Sequence, residues 1–414
     1  ATIRNCRFSR CEESGVKIGY ASANVVVANN EFEDMLNCAV LKMLSDANGP
    51  GATIVESNVI LRTALVAGYG QDGSQQSAAI KCVGGGITIR RNLIEDVGYV
   101  GIVLSGGNHV CEENIIRRAQ LLLDDGGTID INSSSNVVRR NMIFDTYGNR
   151  DVSDGELDNG WIHGRMGFCI FTQPNDNCNV IEENTLVNNT GGIFLDSTVD
   201  SRVRSNMVYN TTSVYIPWHI TLDADYRPMG TGDRITDNVF YSLSATQGFI
   251  RTVMEYTSGF IDRNYYCNPY GPVLMNENFT NYTLTAWRAR YPARDPNSVT
   301  NRVTFPSDAV TGIATQDSRI FVNTNSSAAA FDLQGRVYED LDGNRVSGSI
   351  VVGPYRSAVL VLKVLAETGT ATIVWQTPTG PVARWLVDTN GVALTTASVY
   401  PGKTAWQVRG IGDV

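Results

Sequence analysis

The chain has 414 residues, 43% of them hydrophobic and 18% charged, which is enough for one large core and a smaller domain. Its formal net charge is -9 and its sequence pI is about 5.0, so nucleic acid is not an expected partner. No apolar run approaches a membrane span and no signal peptide is visible. Because the chain opens directly on a strand-like segment, we expect a leader or cap to precede it in a longer protein.

One short pattern recurs along the first two thirds of the chain: an apolar residue, two further residues, an asparagine, one residue, and an apolar residue. Ile89, Asn92 and Ile94 form one copy. The asparagines of successive copies are Asn30, Asn58, Asn92, Asn114, Asn141, Asn184, Asn206, Asn238 and Asn264, and Cys6 takes this position in an earlier copy. The shortest interval, from Asn92 to Asn114, is 22 residues. A minimal unit with insertions of variable length predicts a solenoid.

Apolar residues alternate within each copy, which indicates strands. A second strand follows most copies and often opens with glycine, as at Gly101 and Gly192. Asparagines stacked at one corner of such a coil can bond to backbone groups and to one another. Asn-rich loops of an ordinary β-sandwich are the alternative, but they would have no reason to keep the same apolar frame around each asparagine.

The repeated pattern resembles the right-handed parallel β-helix repeat of the pectate-lyase-like superfamily, over residues 1 to about 275. The resemblance is specific for fold and weak for reaction, because the superfamily includes lyases, glycoside hydrolases, esterases, epimerases and phage tailspikes. It implies an all-β protein: a right-handed parallel β-helix of about ten coils followed by a small antiparallel β-sandwich.

We therefore predict a β-helix at residues 1–280, a capping helix and linker at residues 281–305, and an antiparallel β-sandwich at residues 306–414. Residues 282–291 show a short amphipathic helix pattern with a threonine start signal. Such a helix over the last coil would cover its apolar end and block edge pairing. The last segment resembles the β-sandwich that trails many secreted glycoside hydrolases and lyases.

The outward positions of the glycine-led strands, read by alternation, form one column along the solenoid. Its members are Lys17, Lys42, Lys81, Val103, Asp130, Cys169, Phe194 and Tyr215. Stacked strands lie about 4.8 Å apart, so three lysines on successive coils would repel one another if nothing lay between them. The column therefore starts either as a solvated basic stripe or as a groove for anionic sugar units.

Two insertions, at residues 61–77 and 144–166, leave the helix at the same corner and are predicted to form walls around the coils of Val103 and Asp130. A third, at residues 217–233, leaves at another corner. Loops raised from a rigid scaffold are where binding and catalysis concentrate.

Three carboxylates lie between the two walls. Asp124 and Asp125 are on a turn that enters a strand, and Asp130 is predicted to point outward from that strand. Neighbouring carboxylates raise one another's pKa, so one can act as an acid and another as a base, as glycosidic bond hydrolysis requires. The alternative is a solvated Asp-Asp-Gly-Gly turn. The motif resembles one found in β-helix glycoside hydrolases, but the Asn-Thr-Asp, Gly-His-Gly and Arg-Ile-Lys set of polygalacturonases is not present.

Two further residues are candidate supporting members of the catalytic group. Asp196 is expected two coils from Asp130, roughly 10 Å away, near the upper end for an inverting pair. His163, in the second wall, could orient a hydroxyl group or move a proton, although a loop histidine is more often structural.

Six residues are candidates for substrate binding. Four are aromatic side chains that either stack on sugar rings or pack between coils, namely Trp161, Phe194, Tyr215 and Trp218. The other two, Lys81 and Arg165, could bind an anionic group. No cofactor is expected, although acidic residues could hold Ca²⁺. The cysteines form no Cys-x-x-Cys pair, which argues against zinc, and disulfides between Cys6 and Cys11 or between Cys169 and Cys178 remain open.

These observations favour a secreted or cell-surface glycoside hydrolase that cleaves a polysaccharide or oligosaccharide with paired carboxylates. A polysaccharide lyase acting by β-elimination on a uronic-acid polymer is the first alternative, since Lys81 and Arg165 could neutralise a uronate. A non-enzymatic glycan-binding or structural surface protein is the second. The sequence leaves the glycan, the stereochemistry and the oligomeric state undetermined.

Overall fold

A computed structural model describes most of the chain, and the fold is stated for that part. The described residues are 1–19, 22–43, 53–66, 77–149, 156–158, 161–163, 166–213, 217–223, 231–253, 259–300, 311, 313–364, 371–376, 382–387, 393–397 and 407–413. At residues 156–158 and 161–163, and from residue 364 onward, only the backbone is described.

Three long sheets of ten, eleven and eleven strands, here named A, B and C, make up the first part of the chain. Sheet A contains Thr2–Arg4, Val26–Ala28, Thr53–Glu56, Ile87–Arg90, Val110–Glu112, Val137–Arg139, Val180–Glu182, Arg202–Arg204, Arg234–Thr236 and Phe260–Asp262. Sheet B contains Arg7–Ser9, Glu31–Met35, Val59–Thr63, Leu93–Val97, Ile115–Arg117, Met142–Phe144, Thr185–Asn189, Met207–Thr211, Val239–Tyr241, Tyr265–Cys267 and Val299–Thr300. Sheet C contains Ser14–Ile18, Cys38–Lys42, Ile80–Val83, Ile102–Ser105, Gly126–Asn132, Gly167–Thr172, Gly191–Asp196, Trp218–Asp223, Gly248–Thr252, Leu274–Glu277 and Thr280–Thr283.

The chain visits sheets A, B and C in turn and then returns to sheet A beside the strand it left. Strands of successive coils pair in parallel, for example Ile87–Arg90 with Val110–Glu112. The exception is the last pair of sheet C, which is antiparallel. This is the parallel β-helix that the repeat predicts, with about ten coils.

The recurring asparagine occupies the corner between sheets A and B. Asn92 Nδ2 donates to Asn114 Oδ1 at 2.9 Å and to the Val55 carbonyl at 3.0 Å, and its own Oδ1 accepts from Asn58. The same bonds join each asparagine to the next from Asn30 to Asn264. Cys6 begins the series, since its backbone N–H donates to Asn30 Oδ1 at 3.0 Å. The predicted asparagine ladder is therefore confirmed.

The apolar residues on either side of the asparagines face the inside of the coils. One column on sheet A, three residues before each asparagine, is fully buried: Val27, Val55, Ile89, Cys111, Val138, Ile181, Val203, Ile235 and Ile261. These side chains belong to one core that runs through all the coils. Truncating one such isoleucine to alanine typically costs about 2–5 kcal/mol, because a cavity remains.

A short helix, Leu284–Arg290, follows the last strands of sheet C. Its N-cap is Thr283, whose hydroxyl accepts from the Ala286 N–H at 3.2 Å. Leu284 and Trp287 are buried in the core of the β-helix, so the helix covers apolar residues of the final coil. No helix among the described residues is long and apolar enough to cross a membrane.

The chain divides into two compact units, one comprising residues 1–309, 320–329 and 352–358, and the other residues 310–319, 330–351 and 359–414. Besides one short helix, Ala314–Asp317, the C-terminal region is built of strands: Ser318–Asn323, Ala329–Asp332, Val337–Glu339, Arg345–Val346, Ser349–Val352, Arg356–Val364, Ala371–Gln376, Val382–Val387, Ala393–Ala397 and Gln407–Asp413. The last four of these form one antiparallel sheet. A C-terminal domain of small antiparallel sheets is thus present.

Candidate functional site

The candidate site lies on the outward face of sheet C, where one column of side chains is fixed by strand register. In order along the helix axis the column reads Lys17, Leu41, Lys81, Val103, Asp130, Phe171, Phe194, Thr221 and Arg251. Each member is about 4.8 Å from the next.

This register corrects the predicted column at three positions, and at one of them Thr221 follows Phe194 where Tyr215 was predicted. Lys42 is aligned with Ile18 and Cys82, in the neighbouring column that faces the core, and is buried. Cys169 is also buried, and Phe171 takes its place beside Asp130. The errors at Lys42 and Cys169 arose in strands with unbroken apolar runs, 38–41 and 168–171, where alternation does not say which residues face inward.

The predicted stripe of three lysines is therefore wrong, because Leu41 separates Lys17 from Lys81. Lys17 forms an ion pair with Glu13 at 2.6 Å. Lys81 remains on the outward face, two coils before Asp130, at roughly 10 Å.

Asp130 is completely buried in strand Gly126–Asn132. Asn132 Nδ2 donates to its Oδ1 at 3.1 Å. Burial raises the pKa of Asp130 to about 7, against the opposing effect of Gln173 and the Gly127 backbone, and the charge of Asp125 adds to the rise. At neutral pH this carboxyl therefore exists in both the protonated and the ionised form.

Asp176, which sequence reasoning missed, lies close enough to Asp130 for the charge of Asp130 to act on it. It follows strand Gly167–Thr172, one coil beyond Asp130, in a turn closed by its N–H to the Gln173 carbonyl at 3.2 Å. Burial raises the pKa of Asp176 to about 7, and the charges of Asp130 and Asp196 contribute to the rise. Its Oδ2 atom is buried and has no hydrogen-bond partner among the described residues.

Asp176 was missed because it stands in a segment, Pro174 to Asn177, whose composition is that of an ordinary turn. A usable signal was its position. Asp176 comes shortly after strand Gly167–Thr172, which is the next strand of sheet C after the strand of Asp130. A residue at that end of the strand is a candidate for the same surface as Asp130.

Asp196 lies at the end of strand Gly191–Asp196, two coils from Asp130 and displaced along the strand. It pairs in register with Asp223. Ser197 Oγ donates to Asp196 Oδ1 at 2.9 Å, and the Asp196 N–H donates to Thr172 Oγ1 at 3.1 Å. The charges of Asp130 and Asp196 both raise the pKa of Asp176, so the ionisation of Asp176 is coupled to both carboxyls.

Asp124 and Asp125 stand on the turn before the strand of Asp130. The Asp125 N–H donates to the Met166 carbonyl at 2.9 Å, and the Tyr99 hydroxyl donates to the Asp125 carbonyl at 3.0 Å. Burial and the neighbouring Asp125 charge raise the pKa of Asp124. Burial and the charges of these carboxylates also raise the pKa of Tyr99. This turn therefore forms the exposed rim of the acidic cluster.

Aromatic rings continue the outward column beyond Asp130. Phe171 and Phe194 stack with their centroids 4.7 Å apart, and Phe168 packs against both. Phe194, which the sequence proposed for sugar binding, is partly exposed on this surface. The rings give the acidic cluster an apolar flank suited to a sugar face.

The remaining predicted site residues are not brought to the cluster by the described structure. Trp218 packs over Gly248, where an added Cβ would meet its ring at 1.9 Å, so its ring fills space between coils. Trp161 and His163 belong to strand Trp161–His163, which pairs with Glu156–Asp158 in an antiparallel hairpin, and their side chains lie outside the described part. Arg165, Tyr215 and half of the residues of the two predicted walls also lie outside the described residues.

His219 and His109, the two histidines whose side chains are described, are packed in the interior of the protein. His219 is fully buried, with Nδ1 2.7 Å from the Gly248 carbonyl, and stacks on Phe249. His109 is buried at a corner, where its N–H donates to Asn136 Oδ1 at 3.0 Å. Burial lowers the pKa of each to about 4.

No group of three or more His, Cys, Asp or Glu side chains in the described ranges is arranged to hold a metal ion. All eight cysteines lie in the described part and all are free thiols, so neither of the disulfides left open by the sequence is formed.

A solenoid of three parallel sheets with a carboxyl cluster on one outward face defines a parallel β-helix protein. The family model described as the right-handed beta helix region matches residues 1–109 and 75–249, more than half of the chain. The chain belongs to this family, whose fold is consistent with carbohydrate-active enzymes. No curated protein and no solved structure matches it significantly.

Proposed function

We propose that this protein is a secreted or cell-surface glycoside hydrolase whose reaction is carried out by Asp130, Asp176 and Asp196. The observation that supports this most is the pair of buried carboxyls, Asp130 and Asp176, whose pKa values are both raised to about 7. A glycosidase needs one carboxylic acid that is still protonated at its working pH and one carboxylate. Asp130 and Asp176 meet the first requirement, and Asp196 is the candidate for the second.

Asp176 is the better candidate for the general acid. Asp176 keeps 8% of its surface exposed, whereas Asp130 is fully buried and accepts a bond from Asn132. In this proposal Asp176 protonates the leaving glycosidic oxygen. Asp130 keeps the proton on Asp176 at neutral pH, because two adjacent carboxyls resist losing both protons.

Asp196 would then act on the opposite side of the bond. It lies two coils and two residues along the strand from Asp130, which places their Cα atoms roughly 12 Å apart. Asp176 follows the strand on the coil between them, and the charges of both carboxyls act on it. A carboxylate held at a distance from the acid leaves room for water, as inversion requires. The stacked rings of Phe171 and Phe194 would bind a sugar face beside this pair.

The test is a panel of neutral, uronate-bearing and sulfated polysaccharides incubated with the full chain. Reducing sugar is measured together with ultraviolet absorbance from any new double bond. We expect release of reducing sugar without new absorbance. Absorbance that grows with release would identify the lyase alternative, and no cleavage of any member would favour the non-enzymatic alternative.

Site variants assign the roles on whichever substrate is cleaved. We expect Asp176→Asn and Asp196→Asn to lower kcat by about 10²-fold or more, as loss of an acid or a base does. The matched control is Asp332→Asn, an exposed carboxylate elsewhere in the chain. Wild-type rates in both site variants would overturn the assignment.

A further inference from the structure

A second feature of interest lies on sheet A, a different face of the β-helix from the acidic cluster. A depression of about 340 Å³ is lined by Arg202, Arg204, Arg234, Thr236, Asp237 and Arg263. Four arginines and one carboxylate give this surface an excess of positive charge, although the chain as a whole carries -9.

On the coils before the depression, positive and negative side chains alternate along sheet A, and the excess of arginine at the depression departs from this pattern. One outward column of the sheet reads Glu56, Arg90, Glu112, Arg139, Glu182 and Arg204, each in register with the next. Opposite charges alternate without a break over these coils. Ion pairs form along the column, as in Arg90 with Glu56 at 2.7 Å and Arg139 with Glu112 at 2.8 Å.

The alternation ends at the depression. Arg204 pairs backward with Glu182 at 2.7 Å, but its forward neighbour is Thr236 where a carboxylate would continue the pattern. In the adjacent column, positions that are Val110, Val137 and Val180 on earlier coils become Arg202 and then Arg234.

Arg202 and Arg234 are therefore direct neighbours on adjacent strands, about 4.8 Å apart along the axis. Like charges in this position destabilise a sheet. Neither arginine has a carboxylate within ion-pair distance among the described residues. Arg234 lies instead over the ring of Phe260, 4.6 Å from its centroid, and Arg263 is held by both oxygens of Asp237 at 2.8 Å.

We propose that this depression binds the anionic groups, sulfate or carboxylate, of an acidic saccharide. Guanidinium groups recognise such oxyanions with paired N–H donors. An anion between Arg202 and Arg234 would remove the repulsion that the sheet otherwise carries. The size of the depression is that of a small-ligand site.

The surroundings favour a short acidic saccharide over a nucleic acid. The positive surface spans the two coils of Arg202 and Arg234, and carboxylates flank it at Glu182 and Asp262. A continuous polyphosphate chain would run onto these carboxylates. A saccharide with a few charged groups would place them on the arginines alone. This site is independent of the hydrolase proposal, because it lies on another sheet.

The experiment measures binding of a sulfated hexasaccharide and of an oligogalacturonate to the full chain at low salt, by calorimetry. We expect saturable binding of at least one of them that weakens as salt rises, with affinity reduced at least tenfold in Arg202→Gln and in Arg234→Gln. Arg139→Gln is the matched control, since it removes an arginine of the same sheet that is already paired. It should bind as the wild type does.

A thermal shift separates a binding role from a structural one. Sodium sulfate should raise the Tm of the wild type more than that of Arg202→Gln, and without added anion the variant should be at least as stable. No saccharide binding by the wild type, equal binding by both arginine variants, or equally tight binding of an oligodeoxythymidylate of similar charge would overturn the proposal. Cleavage activity plays no part in these readouts, so they are separate from the test of the hydrolase.

Discussion

The carboxyl of Asp176, on one coil of the β-helix, is influenced by the charge of Asp130 on the coil before it, and burial raises the pKa of each to about 7. The two residues are 46 positions apart in sequence, and the fold joins them only because consecutive coils stack in register. A buried pair of this kind binds or releases a proton near neutral pH, which few carboxylates do. The pH dependence of kcat and of the free energy of unfolding should therefore reveal the titration of this pair.

The first prediction concerns activity as a function of pH. If Asp176 donates a proton to the leaving group, kcat should fall as the pH rises above about 7, since the acid is then ionised. Replacing its neighbour, in Asp130→Asn, removes a charge that keeps the proton on Asp176. The alkaline limb should therefore move to lower pH. Initial rates between pH 4 and 9 on the cleaved substrate measure this, and an unmoved limb would contradict the coupling.

The second prediction concerns the free energy of unfolding. Asp130 has a pKa of about 7 when folded and about 3.9 when unfolded. Between these values the folded state binds more protons than the unfolded state, so stability falls as the pH rises, and the full cost is present above pH 7. That cost is at most roughly 4 kcal/mol.

Asp130→Asn should therefore be as stable as the wild type near pH 4 and more stable at pH 8. Denaturant unfolding at the two pH values checks this, with Asp332→Asn as the control that leaves the difference unchanged. A stability difference between Asp130→Asn and the wild type that does not grow from pH 4 to pH 8 would show that Asp130 is not held with a raised pKa.

The sequence predicted the scaffold well because every coil of a solenoid is held by the same contacts and therefore shows the same residue pattern. Each asparagine must bond to the one before it, so a single spacing rule reveals every coil. The site was predicted less well for a local reason. In unbroken apolar strands, such as the one containing Cys169 and Phe171, nothing in the alternation tells which residue faces outward. Stacking against Ile129 and Ile193 decides it by turning Ile170 inward, which leaves Phe171 beside Asp130.

Asp176 shows a second limit. Its turn has no periodicity, and its importance arises from the neighbouring coil, which contributes Asp130 and the backbone of Ser133. By contrast, Asp124 and Asp125 attracted notice because two adjacent carboxylates are conspicuous in sequence. Asp125 proves to be exposed on the rim of the cluster. A cluster formed between coils is visible in sequence only after the register is known.

The third prediction concerns the asparagine ladder. Asn114 donates to Asn141 and to the Ile89 carbonyl and accepts from Asn92, all in the buried interior. Asn114→Ala leaves these groups without partners, each at about 1–3 kcal/mol, so we expect a loss of several kcal/mol in the free energy of unfolding. Asn325→Ala, at an exposed position, is the control. A loss below about 1 kcal/mol in Asn114→Ala would mean that water replaces the ladder bonds at little cost.

The fourth prediction concerns the helix Leu284–Arg290, which closes the last coil. Trp287 is fully buried in the core, and its Nε1 donates to Asp295 Oδ2 at 3.0 Å. Asp295 also accepts from Tyr266 and Ser298 at 2.7 Å each, so the indole is part of a network that fixes the end of the solenoid. Trp287→Ala should cost about 3–5 kcal/mol.

Because contacts in a solenoid are with nearest neighbours, that loss should be felt first at the nearby coils. Hydrogen exchange read by mass spectrometry should show protection lost in residues 260–300 of Trp287→Ala while residues 87–144 keep wild-type protection. Thr283→Ser is the control, since serine retains the hydroxyl that caps the helix. Equal loss of protection along all the coils would contradict a local cap, because it would mean that the β-helix unfolds as one cooperative unit with Trp287 as only one of its core contacts.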